Sequence, residues 1–231
     1  MDKVFILLHG WQREKSDWNN LEKELSSKYK VISWDLPGFG TEPLIDEDWS
    51  IPEYAIWLNE KISKELPNKE FILLGHSFGG RVASYLASSL PSYLFALILY
   101  ATPSLYRPTA QIKRRIWLYK ILKKILPQSF LQSFKSDDQK NVENTSLAKI
   151  FRKTIPFDQT EELKKINVPT YIIQGDKDAS VRIEIANEMH DLITNSKEIV
   201  VPNATHFLHL ENPILFNGII KNIISEIDEN D

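Results

Sequence analysis

The sequence contains no cysteine. That single absence removes disulfide frameworks, thiolate metal sites and cysteine nucleophiles from consideration. Long apolar runs are missing too: nothing approaches the ~20 uninterrupted apolar residues that cross a bilayer. The run Val4 to Leu8 is too short for the core of a secretory signal and stops at His9-Gly10, so it reads as a first strand, and a cytoplasmic location is the default expectation. There is no internal repeat, no low-complexity linker and no nucleic-acid motif. A net charge of −3 gives nucleic acid no electrostatic footing either.

What is present is 231 residues, 42% hydrophobic and 26% charged, which suits one large domain with an insertion better than two independent ones. Short β-rich apolar runs alternate with helical patterns. Strands are expected at 3–8, 30–34, 70–75, 95–100, 169–174 and 197–201, and helices near 17–28, 53–65, 78–89, 181–192 and 212–227. That alternation predicts an α/β fold, a mostly parallel sheet with helices on both faces.

Between 104 and 160 the rhythm breaks. Strands disappear, and twelve basic residues face four acidic ones, a balance of +8, against sixteen basic and twenty-seven acidic residues elsewhere, a balance of −11. This predicts a core formed by 1–103 and 161–231, with 104–160 as a helical basic lid over the carboxyl ends of the strands, where open α/β folds bind ligands. Within it, a helix from Gln111 to Leu126 carries an apolar arc of Leu118, Tyr119, Ile121, Leu122, Ile125 and Leu126. Lys113, Lys120, Lys123 and Lys124 oppose that arc. A lid with one buried face accounts for the pattern; a docking surface for an acidic protein or an anionic membrane is the competing reading.

The chemistry concentrates in a few short segments. Strand 70–75 runs into Gly75-His76-Ser77-Phe78-Gly79-Gly80 and then into a helix, the G-x-S-x-G arrangement in which a sharp turn lifts a serine hydroxyl clear of the backbone. Serine needs a base to take its proton, and there are five histidines. His9 ends the first strand, His76 adjoins the nucleophile, and His190 lies on a helix. His206, in the loop Asn203-Ala204-Thr205-His206-Phe207 after the last strand, has the right place in a Ser…Asp…His order. Gly175-Asp176-Lys177-Asp178 lies between them, and Asp178 is preferred to Asp176 as the orienting acid because it clears the strand end. Backbone N–H groups of Trp11, in His9-Gly10-Trp11, and of Phe78 are the expected oxyanion donors. Trp11, Phe78 and Phe207 are the expected substrate-pocket residues.

These segments, in this order, resemble the α/β-hydrolase superfamily along the whole chain apart from 104–160. Leu7-Leu8-His9-Gly10-Trp11, Asp35-Leu36-Pro37-Gly38-Phe39-Gly40 and His206-Phe207-Leu208-His209-Leu210-Glu211-Asn212-Pro213 are similar to small carboxylesterases. They resemble in particular the pimeloyl-carrier methyl ester esterases of biotin synthesis. The resemblance implies a sheet of eight or nearly eight strands with a cap, no metal or organic cofactor, and an acyl-enzyme mechanism. It also implies a small-molecule ester substrate, with an acidic acyl carrier protein as a possible partner at the basic cap. Gln12, Thr41 and Ala179 depart from the commoner pattern without removing a catalytic group. Carbon–carbon bond hydrolases share the same triad, and a ligand-sensing protein on this fold is the non-enzyme alternative. His206, His209 and Glu211 lack the helical spacing of zinc-protease ligands, so a metal centre is set aside.

Overall fold

The computed structural model describes residues 3–89, 91–122 and 145–229. Six strands form one sheet: β1 (Val4–Leu8), β2 (Lys30–Trp34), β3 (Phe71–His76), β4 (Leu94–Tyr100), β5 (Thr170–Gly175) and β6 (Ser196–Val201). Their order is β2-β1-β3-β4-β5-β6, and every neighbouring pair is parallel. Among the described residues the sheet has six strands, where eight or nearly eight were expected. Each of the six apolar β-rich runs became a strand, and the described residues hold no further run of that kind.

Burial on both faces explains why these strands read as continuous apolar runs. All of β1, β3 and β5 is buried. Alternate side chains of β1 enter opposite cores: Val4, Ile6 and Leu8 on one face, Phe5 and Leu7 on the other. The first core is closed by α2 (Ile51–Glu65), α3 (Phe78–Ser88) and α7 (Ile183–Leu192), through residues such as Tyr54, Val82 and Met189. The second is closed by α1 (Asn19–Leu25) and α9 (Pro213–Glu229), through Leu21, Phe216 and Ile220. Each such side chain contributes about 1.5 to 3 kcal/mol by leaving water.

Local signals set the helix starts. The backbone N–H of Ser50 donates to the Glu53 carboxylate at 2.7 Å, and Pro52 supplies a preset φ in the first turn of α2. The expected helix at 17–28 is shorter, because Lys15–Trp18 forms a 3-10 turn before α1.

Between β4 and β5 the chain forms α4 (Ala110–Leu122), α5 (Leu147–Thr154) and α6 (Thr160–Leu163). α5 is packed, burying Ile150 and Phe151 against the first core and its aromatic rim. α4 differs from the arc expected of it. Ile121 is exposed together with Ile112, Ile116 and Trp117, while Leu118, Tyr119 and Leu122 are half-buried. Apolar side chains therefore occur around the helix rather than on one buried stripe. Ile125 and Leu126, with Lys123 and Lys124, lie outside the described residues. The remaining two helical segments, α8 (Leu208–Glu211) and α9, follow the loop that carries His206.

Candidate active site

The turn from β3 into α3 is strained at one residue. Ser77 has φ 51° and ψ −109°, a region that non-glycine residues occupy only when surrounding structure holds them there. Two backbone bonds do so. Ser77 N–H donates to the Tyr100 carbonyl at 2.9 Å, and Gly79 N–H to the His9 carbonyl at 3.1 Å. Glycine is required on both sides: a Cβ at Gly75 would lie 2.5 Å from the Gly79 carbonyl oxygen, and one at Gly79 would lie 2.6 Å from that of His9.

Ser77 opens into a cavity of about 310 Å³ at the carboxyl end of the sheet, which His206, Trp11, Phe78 and Phe207 also line. Segments that follow β1, β3 and β6 thus converge on one space, joined by Pro103 after β4 and Val181 after β5, at the end of the sheet where parallel folds leave room for ligands. Phe151, Thr154 and Ile155 from the α5 region form part of the wall. Trp11 packs its ring at 5.0 Å from Phe39, 5.2 Å from Phe78 and 5.4 Å from Phe151, so the aromatic floor and α5 meet over it.

Among the described residues, the backbone N–H groups of Trp11 and Phe78 donate no hydrogen bond within the protein. That leaves two donors flanking the serine free for an incoming oxygen, with the positive end of the α3 dipole behind Phe78.

Asp178, in the loop after β5, lies within hydrogen-bond reach of His206. Nδ1 of His206 is 2.8 Å from Asp178 Oδ2, with the Asp178 side chain fully buried and that of His206 11% exposed. Burial alone would raise the Asp178 pKa. The hydrogen bond and charge of His206, with the N–H groups of Val181 and Ser180, outweigh it and hold the carboxyl below the ordinary range. Asp176 is used differently: its Oδ1 accepts the Asn203 N–H at 2.6 Å, tying the β5 loop to the loop that carries His206. Among the described residues the Ser77 hydroxyl makes no hydrogen bond to His206, although both line the cavity.

Sequence reasoning overlooked what holds His206. Its carbonyl oxygen accepts two bonds, from His76 Nε2 at 3.0 Å and from the Tyr100 hydroxyl at 3.0 Å. Burial first, then the neighbouring His209 and His206, hold the His76 pKa well below its ordinary value, so His76 is a neutral donor here. The β3 and β4 ends thereby fix the backbone of the loop after β6. No local pattern announces this, because the partners are more than a hundred residues apart. His190, unpartnered by sequence, is 2.8 Å from Ser196 Oγ through its Nδ1. His209 turns into the core against Trp18, and Glu211 accepts the Thr205 hydroxyl at 2.6 Å, so the trio His206, His209 and Glu211 does not converge.

Comparison with known proteins identifies the family. Over 98 residues, 42% of this chain and 37% of the relative, the sequence is 44% identical to a pimeloyl-[acyl-carrier protein] methyl ester esterase of Aeromonas hydrophila. That match therefore spans little more than a third of the relative. The protein of the same description from Wigglesworthia glossinidia brevipalpis is 27% identical across 96% of this chain and 94% of its own length. Among solved structures, MenH from S. aureus superposes with a TM-score of 0.75 at 26% identity, covering 98% of this chain and 94% of that one. The family model described as the alpha/beta hydrolase family matches residues 5–218, and this chain belongs to that family.

Proposed function

We propose that the protein hydrolyses carboxylic esters through an acyl-enzyme, with Ser77 as nucleophile, His206 as base and Asp178 as the acid that orients it. The observation that carries this reading is the 2.8 Å contact between His206 and a buried, ionised Asp178 at the rim of the cavity that holds the strained Ser77. Ser77 Oγ attacks the ester carbonyl carbon while His206 Nε2 takes its proton. The carbonyl oxygen becomes an oxyanion that accepts from the N–H groups of Trp11 and Phe78. Collapse expels the alcohol, which His206 protonates, and a water activated by the same imidazole then releases the acid. Trp11, Phe78 and Phe207 line the acyl pocket, and residues 104–160 act as its lid.

A fluorophosphonate probe tests the nucleophile directly. The expected outcome is labelling at Ser77, abolished in Ser77→Ala, with ester turnover reduced on the order of 10⁴-fold or more. An unlabelled protein would instead be a ligand sensor on this fold.

A second reading has its own support: the acyl group is presented on an acidic carrier protein that docks on the basic residues of 104–160. The local likeness to pimeloyl-[acyl-carrier protein] methyl ester esterases and the +8 balance of that stretch favour it.

A further inference from the structure

Beneath the loop that carries Asp178 lies a buried amide that the acyl-transfer steps do not use. Gln174, near the end of β5, is 1% exposed. Its Nε2 donates to three acceptors on the loop that follows: Asp178 Oδ2 at 3.1 Å, the Val181 carbonyl at 3.0 Å and the Gly175 carbonyl at 3.2 Å. An amide nitrogen carries two protons, so one of them is shared. With three oxygens around it, the nitrogen and not the oxygen of the amide must face them.

Those bonds reach the Asp178 carboxylate by two routes. Oδ1 is held by the N–H groups of Ser180 at 2.7 Å and Val181 at 2.9 Å, whereas Oδ2 is shared by His206 Nδ1 at 2.8 Å and Gln174. The amide therefore occupies the second acceptor position of the very oxygen that meets the imidazole. Its bond to the Val181 carbonyl also pins the residue whose N–H grips Oδ1. The other bonds that close this loop, Asp178 N–H to the Gly175 carbonyl at 3.3 Å and Lys177 N–H to the Ala204 carbonyl at 3.0 Å, do not touch the carboxylate.

We propose that Gln174 is a positioning residue: it sets the rotation of the Asp178 carboxylate and, through it, the aim of the His206 imidazole at Ser77. The proposal rests on the ester-hydrolase reading and adds a residue to its machinery. A carboxylate held through Oδ1 alone can pivot about that oxygen, and the imidazole pivots with it. Gln174 closes that freedom from the side opposite the backbone donors, as a supporting bond behind a reacting group does. Misplacement of a reacting group by about 1 Å is enough to cost on the order of 10²-fold in rate. Were Gln174 only filling buried space under the loop, an apolar side chain of the same length would serve and a shorter amide would not.

The test uses that contrast. Gln174→Met keeps the length and removes the donor, while Gln174→Asn keeps an amide one methylene shorter. On p-nitrophenyl butyrate, kcat should fall about 10- to 10²-fold in Gln174→Met with KM within about twofold of normal, and Gln174→Asn should retain more of kcat. A normal kcat in Gln174→Met, or a methionine variant faster than the asparagine one, overturns the proposal. The low-field proton resonance of His206 Nδ1 gives a readout free of turnover: it should broaden and exchange faster in Gln174→Met, and an unchanged resonance overturns the proposal. If neither variant folds, the Gln174 side-chain amide of the unmodified protein decides. Its protons should exchange slowly and shift in Asp178→Asn, and exchange as fast as that of a surface glutamine overturns the proposal. The two readings fail separately. A protein labelled by fluorophosphonate at Ser77 whose kcat and His206 resonance ignore Gln174 loses the positioning alone. One that is not labelled, yet whose His206 resonance follows Gln174, loses the esterase and keeps the positioning of the imidazole.

Discussion

Asp178→Asn changes one atom of a fully buried side chain and reverses what that atom can do. Oδ1 of Asp178 accepts the N–H groups of Ser180 at 2.7 Å and Val181 at 2.9 Å; Oδ2 takes His206 Nδ1 at 2.8 Å and Gln174 Nε2 at 3.1 Å. An asparagine can keep its oxygen on the two backbone donors. Its amide NH2 then faces the imidazole and the Gln174 amide, both of which are donors in the native arrangement. The imidazole can answer only by taking the other tautomer, with a lone pair on Nδ1 and the proton on Nε2. A proton there blocks the atom that must accept the one from Ser77. Turnover should fall on the order of 10³- to 10⁴-fold. Losing two charge-assisted bonds should also cost about 2 to 4 kcal/mol of stability at neutral pH. Because the folded carboxyl is held below its ordinary range, its stabilisation is present above the unfolded carboxylate pKa of about 3.9 and fades as pH falls through the folded value. The two stability curves should therefore converge in acid. The assay is kcat on p-nitrophenyl butyrate beside urea unfolding at pH 7 and pH 3, with Asp176→Asn as the comparison. Asp176 makes its bond to Asn203 at the surface, so its loss should cost about 1 kcal/mol and less than about threefold in kcat. Turnover within tenfold of normal for Asp178→Asn, or a larger loss for Asp176→Asn, would refute the reasoning.

Tyr100→Phe removes one of the two donors on the His206 carbonyl while His76 keeps the other, so kcat should fall about tenfold with KM little changed; an unaltered kcat would mean that His76 alone fixes the loop. Asp35 accepts the N–H groups of Lys15 at 2.7 Å and Thr41 at 2.9 Å, and although its burial acts the other way, these bonds draw its pKa from 3.8 to about 2. Its side chain is 3% exposed, so Asp35→Asn should cost about 2 kcal/mol at pH 7, a difference that shrinks as pH falls from about 4 towards 2. Urea unfolding that shows the same difference at pH 7 and pH 3 would contradict this. For the carrier-docking reading, hydrolysis of an acyl ester on an acidic carrier should drop steeply with added salt while a small neutral ester hardly responds. Changing Lys113, Lys120, Lys123 and Lys124 to Glu should reproduce the loss on the carrier substrate alone, and equal losses on both substrates would leave a small-ester hydrolase.

The sequence by itself determined the order of layers and the place of the turn that carries Ser77. Both are short-range properties. A strand buried on two faces needs an unbroken apolar run, as in Phe71 to Leu74, and a helix on such a sheet needs its apolar residues on one side, as in Tyr54, Leu58 and Ile62 of α2. The elbow was legible partly because Gly75 is imposed by an atom only four residues away, the Gly79 carbonyl, whereas Gly79 is imposed by the distant His9 carbonyl. The preference for Asp178 over Asp176 rested on position along a loop, and the contact with His206 depends on two loops separated by β6. What only the tertiary structure decided lies between segments distant in the chain. The grip of His76 and Tyr100 on the His206 carbonyl joins three strand ends. The half-buried residues of α4 depend on what packs against it, which the spacing of its side chains does not encode. Arg81 bonds the Phe157 carbonyl through Nη2 although the two are 76 positions apart, a contact that only the return of that later segment to the sheet creates.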